Sequence, residues 1–281
     1  MAELTSRSAR RGNRVRSVAL HAVVVLGALV MVFPFVWAVV TSITPGSGLS
    51  STPSLVPQDP SASAYQQLFA DLPFGRAIVN SLGLAVATTV SQIVTSAMAA
   101  YAFSRLPFRG SGAVFAVYLM TMMIPFQVLI VPLFVEMKAL GLIDTHVGAL
   151  LPSLASGFGV FLLRQAVNQV PRELDEAATI DGAGHLRIFT NVIVPNIGPA
   201  IATLTVFAFM SSWNSFLWPL IILRSQELHT LPVALQALQG QYTTQWDVVM
   251  AGSVVSILPM LALYVFAQKY VVQGVASSGL K

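Results

Sequence analysis

The residues best equipped for chemistry crowd into one short stretch, and they are acids. Glu173, Asp175, Glu176 and Asp181, four of the chain's eleven acidic residues, lie in "ELDEAATIDGAGHLRIFTNVIVPNIGP", residues 173–199. Their spacing suits a helix start. Pro171 fits the first helical position, and Glu173, Asp175 and Glu176 follow where carboxylates favour the positive end of the helix dipole. Leu174, Ala177, Ala178 and Asp181 recur at helical spacing on one face, and Gly182 lets the chain leave the helix with positive φ. The expectation is a short helix and a sharp turn. A second helical piece from about His185 to Val192 then leads into Pro195, placed to start the next long helix. Small alanines on the exposed side would let another protein's surface approach closely.

Other chemistries are excluded by what is missing. The chain has no cysteine, so disulfides and thiolate metal sites are out. No Gly is followed by Lys, so no phosphate-cradling Gly-Lys-Ser/Thr loop exists. No His-Glu-x-x-His occurs, and His21, His146, His185 and His229 are far apart in sequence, which leaves no metal set. These absences predict a chain that is not an enzyme and binds no cofactor of its own.

The surroundings of the acidic stretch are hydrocarbon. The chain is 55% hydrophobic and only 9% charged, with 281 residues and a mean hydropathy of +0.75. That composition belongs to a membrane protein. Spanning needs roughly 20 mostly apolar residues. Six stretches qualify, at about Ser17–Ile43, Ala77–Phe103, Ala113–Val135, His146–Leu163, Pro195–Leu223 and Val248–Tyr270. The fourth is short, Gly-rich and interrupted by Pro152, so it is expected to face protein. The first is too long for a cleaved secretory signal.

Charge placement gives a direction. With the N-terminus inside, Arg7, Arg10, Arg11, Arg14, Arg16, Arg105, Arg109, Arg164, Arg172, Arg187, Lys269 and Lys281 are cytoplasmic, and only Arg76, Lys138 and Arg224 are outside. Twelve against three follows the positive-inside rule and puts both termini and the acidic loop in the cytoplasm. The basic pI of about 9.7 is thereby topology, not nucleic-acid binding. Outside lie the Pro- and Ser-rich connector 44–76, with one short helix expected at 64–70, a short loop at 137–145, and the loop 224–247.

No Asp, Glu, Lys or Arg falls near the centre of a span, where proton- or sodium-coupled carriers usually place one. Energy for uphill movement would have to arrive from another protein.

The segment "EAATIDGAGHLRIFTNVIVPNIGP" resembles the Glu-Ala-Ala-x-x-Asp-Gly-Ala pattern, followed by a Pro and a second Pro four later, of the membrane subunits of binding-protein-dependent ABC importers. Glu176, Ala177, Ala178, Asp181, Gly182, Ala183, Phe189, Pro195 and Pro199 carry the match. "AAYAFSRLPFRG", "MIPFQVLIVPLF", "WNSFLWPL" and the ending "MAGSVVSILPMLALYVFAQKYVVQGVASSGLK" are similar to the carbohydrate-uptake branch, of the maltose, oligosaccharide and glycerol-3-phosphate type.

The resemblance implies an all-α membrane protein with six transmembrane helices, a cytoplasmic coupling helix and a type-1 ABC importer permease fold. In those terms residues 1–16 are a basic cytoplasmic tail and 17–76 the first transmembrane helix with the outer connector. Residues 77–270 are the importer domain, with its coupling loop at 171–194, and 271–281 a cytoplasmic tail. Glu176, Ala177, Ala178, Asp181, Gly182 and Ala183 inherit the docking role. Implied partners are a second homologous permease, two cytoplasmic ABC ATPases that use ATP and magnesium, an extracytoplasmic solute-binding protein and the lipid bilayer of a prokaryotic cell membrane.

An uncharged sugar path would want amides and aromatic faces, which points to Trp213, Asn214 and Gln127; interhelical packing is the competing use of each. Trp218, nearer the outer boundary, is expected in the interfacial aromatic belt. The loop 224–247 would meet the binding protein. The alternative functions are an ion-coupled carrier or channel without an ATPase partner, and a purely structural membrane subunit.

Overall fold

Hydrocarbon-rich runs without helix breakers become long helices, and breakers set the joints. The structure is a computed structural model that describes residues 2–46, 56–57, 59–71, 73–241 and 245–278, without the side chains of 2–16, 71, 240–241, 266–267 and 269–278. The expected connector 44–76 therefore lies partly outside the described residues, as do residues 242–244 and 279–281. The helices are α1 (Ala2–Ser42), α2 (Ser63–Asp71), α3 (Phe74–Arg105), α4 (Ser111–Thr121), α5 (Phe126–Ala139), α6 (His146–Leu150), α7 (Gly157–Gln169), α8 (Arg172–Ile180), α9 (His185–Ile188), α10 (Val194–Asn196), α11 (Gly198–Trp213), α12 (Leu217–Ile222), α13 (Leu231–Gln241) and α14 (Trp246–Ser278). No strand occurs among the described residues.

Among the described residues, three helical stretches are long and apolar enough to cross a bilayer unaided: Ser17–Ser42, Phe74–Arg105 and Trp246–Val265. Three bent pairs complete six candidate spans if each pair counts as one: α4 with α5 at 93°, α6 through Ser153 with α7 at 45°, and His185–Asn196 with α11 at 78°. The first bend has a local cause. Pro125 caps α5 in an extended conformation, and a proline disfavours helical geometry in the residue before it. The bend between α6 and α7 falls where Ser156 turns extended and its side chain accepts the Gly159 N–H at 3.0 Å, starting a new helix.

Several expectations need correction. The third span is two helices near a right angle, not one rod. The fifth is also divided: α11 ends at Trp213 and α12 begins at Leu217. Helical backbone extends from Ala2 in α1 and to Ser278 in α14.

The chain forms two compact units, residues 1–71 with 238–255, and residues 72–237 with 256–281. In the first unit the side chains from 17 to 37 of α1 are all exposed, as suits a helix solvated by lipid. Its far end is pinned. The Ser42 hydroxyl donates to the Val39 carbonyl at 2.7 Å and meets the Tyr65 hydroxyl of α2 at 2.8 Å, while the Gln67 amide donates to Gln245 at 3.0 Å.

In the second unit α3 is the axis against which α7 and α11 pack. Small residues make the approach close. A Cβ at Gly159 of α7 would run into the Ser96 side chain of α3 and lie 3.2 Å from Leu204 of α11. One core joins Ala97, Ala100 and Tyr101 of α3 to Leu163 and Val167 of α7, Ile188 and Ile193 beside the acidic segment, and Leu204 of α11. A second core, around Met137, Ala149, Trp218, Ile222 and Leu223, holds the opposite end of the unit.

Candidate coupling site

The acidic segment is a short helix with a well-formed end. Pro171 is the residue before the first turn, extended at φ −56° and ψ 136°, so α8 starts at Arg172, one residue later than expected. Glu173 and Asp175 occupy the first turn, where the dipole favours them. The Gly182 N–H donates to the Thr179 carbonyl at 3.0 Å and the Ala183 N–H to the Ala178 carbonyl at 2.9 Å, with Gly182 at φ +80°. These two bonds and the left-handed glycine form a Schellman ending. They explain the spacing of Ala178, Gly182 and Ala183 physically. Ala178 and Ala183 are the paired apolar positions such an ending brings together, and both pack on the core shared with α3 and α7.

The faces of α8 differ from the sequence reading. Ala177 is exposed but Ala178 turns inward, and Asp175, not Leu174, is the half-buried residue of the first turn. Glu176 and Asp181 are exposed. What stands out toward solvent is apolar: Ile180 at 87% exposure and Leu186 at 77%, with Leu174 exposed to a lesser degree. Neither Ile180 nor Leu186 is singled out by the sequence pattern. Their signal is weak but present, two large aliphatics flanking a glycine turn in an otherwise polar segment.

Beyond the turn the chain is less regular than expected. α9 passes into a π turn over Phe189–Ile193, then α10, and Ile197 breaks the helix before α11. It is Pro199, not Pro195, that stands in the first turn of the long helix. A proline there forfeits a hydrogen bond the first turn could not make.

The segment is fastened to the helical body by polar contacts. Arg105 Nε lies 2.6 Å from Asp175 Oδ2, and Arg105 Nη2 donates to the Val170 carbonyl at 2.6 Å. The Tyr101 hydroxyl lies 3.4 Å from Nδ1 of His185, and the Tyr101 and Phe189 rings meet at 5.4 Å. Arg164, expected just past the fourth span, sits inside α7 with its guanidinium 4.0 Å from the centre of the Phe115 ring. That contact offsets part of the cost of a charge among helices.

The three residues singled out for a solute path are placed differently from one another. Trp213 is 2% exposed, donates its indole N–H to the Ser256 carbonyl at 3.2 Å and stacks on Phe209, so its faces meet protein. Asn214 caps α11 and returns its amide N–H to the Met210 carbonyl at 2.9 Å, on an exposed side chain. Gln127 is exposed in the first turn of α5, directly after the right-angle bend. The Phe126 and Trp218 rings, edge to face at 6.2 Å, link that turn to α12. Trp218 itself is buried at 3% exposure, a correction to its expected place in an interfacial belt. No group of three or more His, Cys, Asp or Glu able to hold a metal occurs among the described residues.

Residues 92–277 match the family described as "Binding-protein-dependent transport system inner membrane component". Among similar proteins is the arabinooligosaccharides transport system permease protein AraQ of Halalkalibacterium halodurans, 33% identical over 262 residues, covering 90% of this chain and 92% of that protein. The lactose transport system permease protein LacG of Rhizobium radiobacter is 33% identical over 276 residues, covering 95% and 97%. A crystal structure of a bacterial ABC transporter involved in import of the acidic polysaccharide alginate contains a chain of the same fold. Its TM-score is 0.82 at 27% identity, covering 92% of this chain and 98% of that one. The chain belongs to the family of inner membrane components of binding-protein-dependent transport systems.

Proposed function

We propose that this chain is the permease subunit of an ATP-driven ABC importer for a sugar or sugar-like solute, with α8 and α9 as the plug that a separate ATPase grips. One observation carries the reading. An acidic helix with a rigid glycine ending presents two large, nearly bare aliphatic side chains, Ile180 and Leu186, from a body whose other exposed apolar surface suits lipid. Such a patch asks for a protein socket. Binding to two ABC ATPases would cover it, and closure of those subunits on ATP and magnesium would move the helices rooted in the shared core. Catalysis of hydrolysis then belongs to the partners.

The sugar reading is supported by the solutes named for similar permeases and by the two exposed amides, Asn214 and Gln127, each beside a helix break. Broken helices are where transporters place binding groups. Trp213 supports the path from behind. A second homologous permease completes the enclosure, and an external binding protein meets the loop that holds Glu227. The excess of Arg and Lys on one side supports a cytoplasmic placement of α8 and both termini in a prokaryotic cell.

The test is purification of the chain from its native membrane in mild detergent, with partners identified by mass spectrometry. A nucleotide-binding ATPase and a second multi-span permease are expected. Recovery of the chain alone, under conditions that preserve a reference importer, would overturn the reading and send the search to proton- or sodium-driven flux.

A further inference from the structure

Within residues 72–237, α3 differs from the other candidate spans. It is one unbroken helix of 32 residues, whereas α4 with α5, α6 with α7, and the α9 to α11 run each bend by 45° or more. At 1.5 Å per residue it is about 48 Å long. Both of its ends are tied by polar bonds to segments far away in sequence.

At its C-terminal end Arg105 grips α8. The guanidinium side chain is 7% exposed and its partner Asp175 18%, so the pair is shielded from water. The same guanidinium donates to the carbonyl of Val170, two residues before α8, so one side chain holds the helix and its lead-in together. Asp175 Oδ1 is buried without a hydrogen-bond partner. Among the described residues Arg105 therefore supplies the one close countercharge of a carboxylate that is poorly solvated, a pairing costly to break.

At the N-terminal end α3 grips the loop before α13. The Asn80 amide donates to the carbonyls of Glu227 at 2.8 Å and His229 at 3.0 Å, Arg76 pairs with Glu227 at 2.6 Å, and the Leu231 N–H donates to the Ser81 hydroxyl at 2.7 Å. A helix is stiff along its axis, and a stiff rod bonded at both ends moves its two attachments together.

We propose that Arg105 is a positioning residue that makes α3 a strut, carrying displacement of α8 to the loop at 225–231 on the far end of the same helix. The inference rests on the reading of α8 as the ATPase plug. It assigns the transmission to the contacts of the Arg105 side chain and one unbroken helix, with no relay through the bent spans.

The experiment uses the complex co-purified with its partners and placed in lipid nanodiscs. The chain has no cysteine, so a single Gln226→Cys change puts a thiol of its own on the far loop. Its labelling by a fluorescent maleimide is timed with and without ATP and vanadate. A change of about fivefold or more on trapping is expected in the parent, the scale of ordinary coupling between sites. Arg105→Gln should erase that change while the nucleotide-free rate stays the same, and Arg105→Lys should retain part of it. An equal response in parent and Arg105→Gln overturns the strut, as does a parent that carries its ATPase and gives no response. A parent without any ATPase instead fails the functional reading. Should Arg105→Gln not assemble, the combined changes Arg76→Gln, Asn80→Ala and Ser81→Ala remove the side chains of the other attachment; the response must vanish with the ATPase still bound, and its persistence overturns the proposal.

Discussion

The indole N–H of Trp218 donates to the backbone carbonyl of Gly148 across 3.2 Å, joining α12 to α6 deep in the second core. Gly148 can sit there because it has no side chain. A Cβ would run into the carbonyl oxygen of Leu142, a backbone atom that cannot rotate aside. Gly148→Ala is expected to lower the stability of the purified chain by about 1–3 kcal/mol, the range for overpacking. Thermal unfolding in detergent, followed by tryptophan fluorescence, measures it. An unchanged midpoint would mean that α6 and the 140–145 turn shift freely, against the packing described.

Asp144 predicts an acid-labile corner. It holds φ +59°, and its carboxylate accepts the Ser225 hydroxyl and the backbone N–H groups of Ser225 and Arg224, the latter two at 2.9 and 2.8 Å. These bonds, the Ser225 hydroxyl first, hold its pKa below the ordinary carboxylate value. A depressed pKa contributes stability above the unfolded value of about 4 and loses it as pH falls through the folded value. The corner should therefore loosen below about pH 4. Asp144→Asn keeps a residue tolerant of positive φ and removes the titration. Limited proteolysis of the 224–231 loop across pH 3–7 should show an acid-dependent rise in the parent and a flat profile in the variant.

Gly182 predicts a defect of shape. At φ +80° a β-branched side chain is strained, yet nothing lies within 4 Å of a Cβ placed there. Gly182→Val should leave the amount of inserted chain unchanged and reduce the co-purified ATPase about tenfold, equivalent to about 1.4 kcal/mol of docking energy. Quantitative mass spectrometry of the two subunits gives the ratio. Equal ratios would separate the turn from docking.

Ile180 and Leu186 predict a defect of contact. Burying a large aliphatic side chain stabilises an interface by about 1.5–3 kcal/mol. Ile180→Asp and Leu186→Ser should each cut ATPase recovery by at least about tenfold, with no loss of thermal stability in the isolated chain because both side chains are exposed. Loss of stability with recovery intact would place these residues in folding instead.

The sequence made the helical content, the membrane class and the short acidic helix legible, because apolar run length and the dipole preference of carboxylates are local properties. The Gly182 turn was equally local. The joints were less so. Pro195 and Pro199 have the same chemistry, and only the π turn and the break at Ile197 decide which of them begins the long helix. Trp218 was misplaced because hydropathy ranks a tryptophan at a span end as interfacial, whereas the Gly148 carbonyl supplies a buried partner from 70 residues away. The Arg105 and Asp175 pair was invisible for the same reason. Arg105 counted only as a charge on one side, and its partner is fixed by how α3 and α7 pack.

The two ion pairs of α3 also live in different solvents. Arg76 and Glu227 are 57% and 73% exposed, so mobile ions within a Debye length of about 8 Å weaken their attraction, while Arg105 and Asp175 are enclosed. Dissolved salt thus reaches one end of this helix and not the other. Raising ionic strength loosens the grip on the 224–231 loop and leaves the grip on α8 intact, so the environment facing that loop can tune how tightly it follows the rest of the molecule.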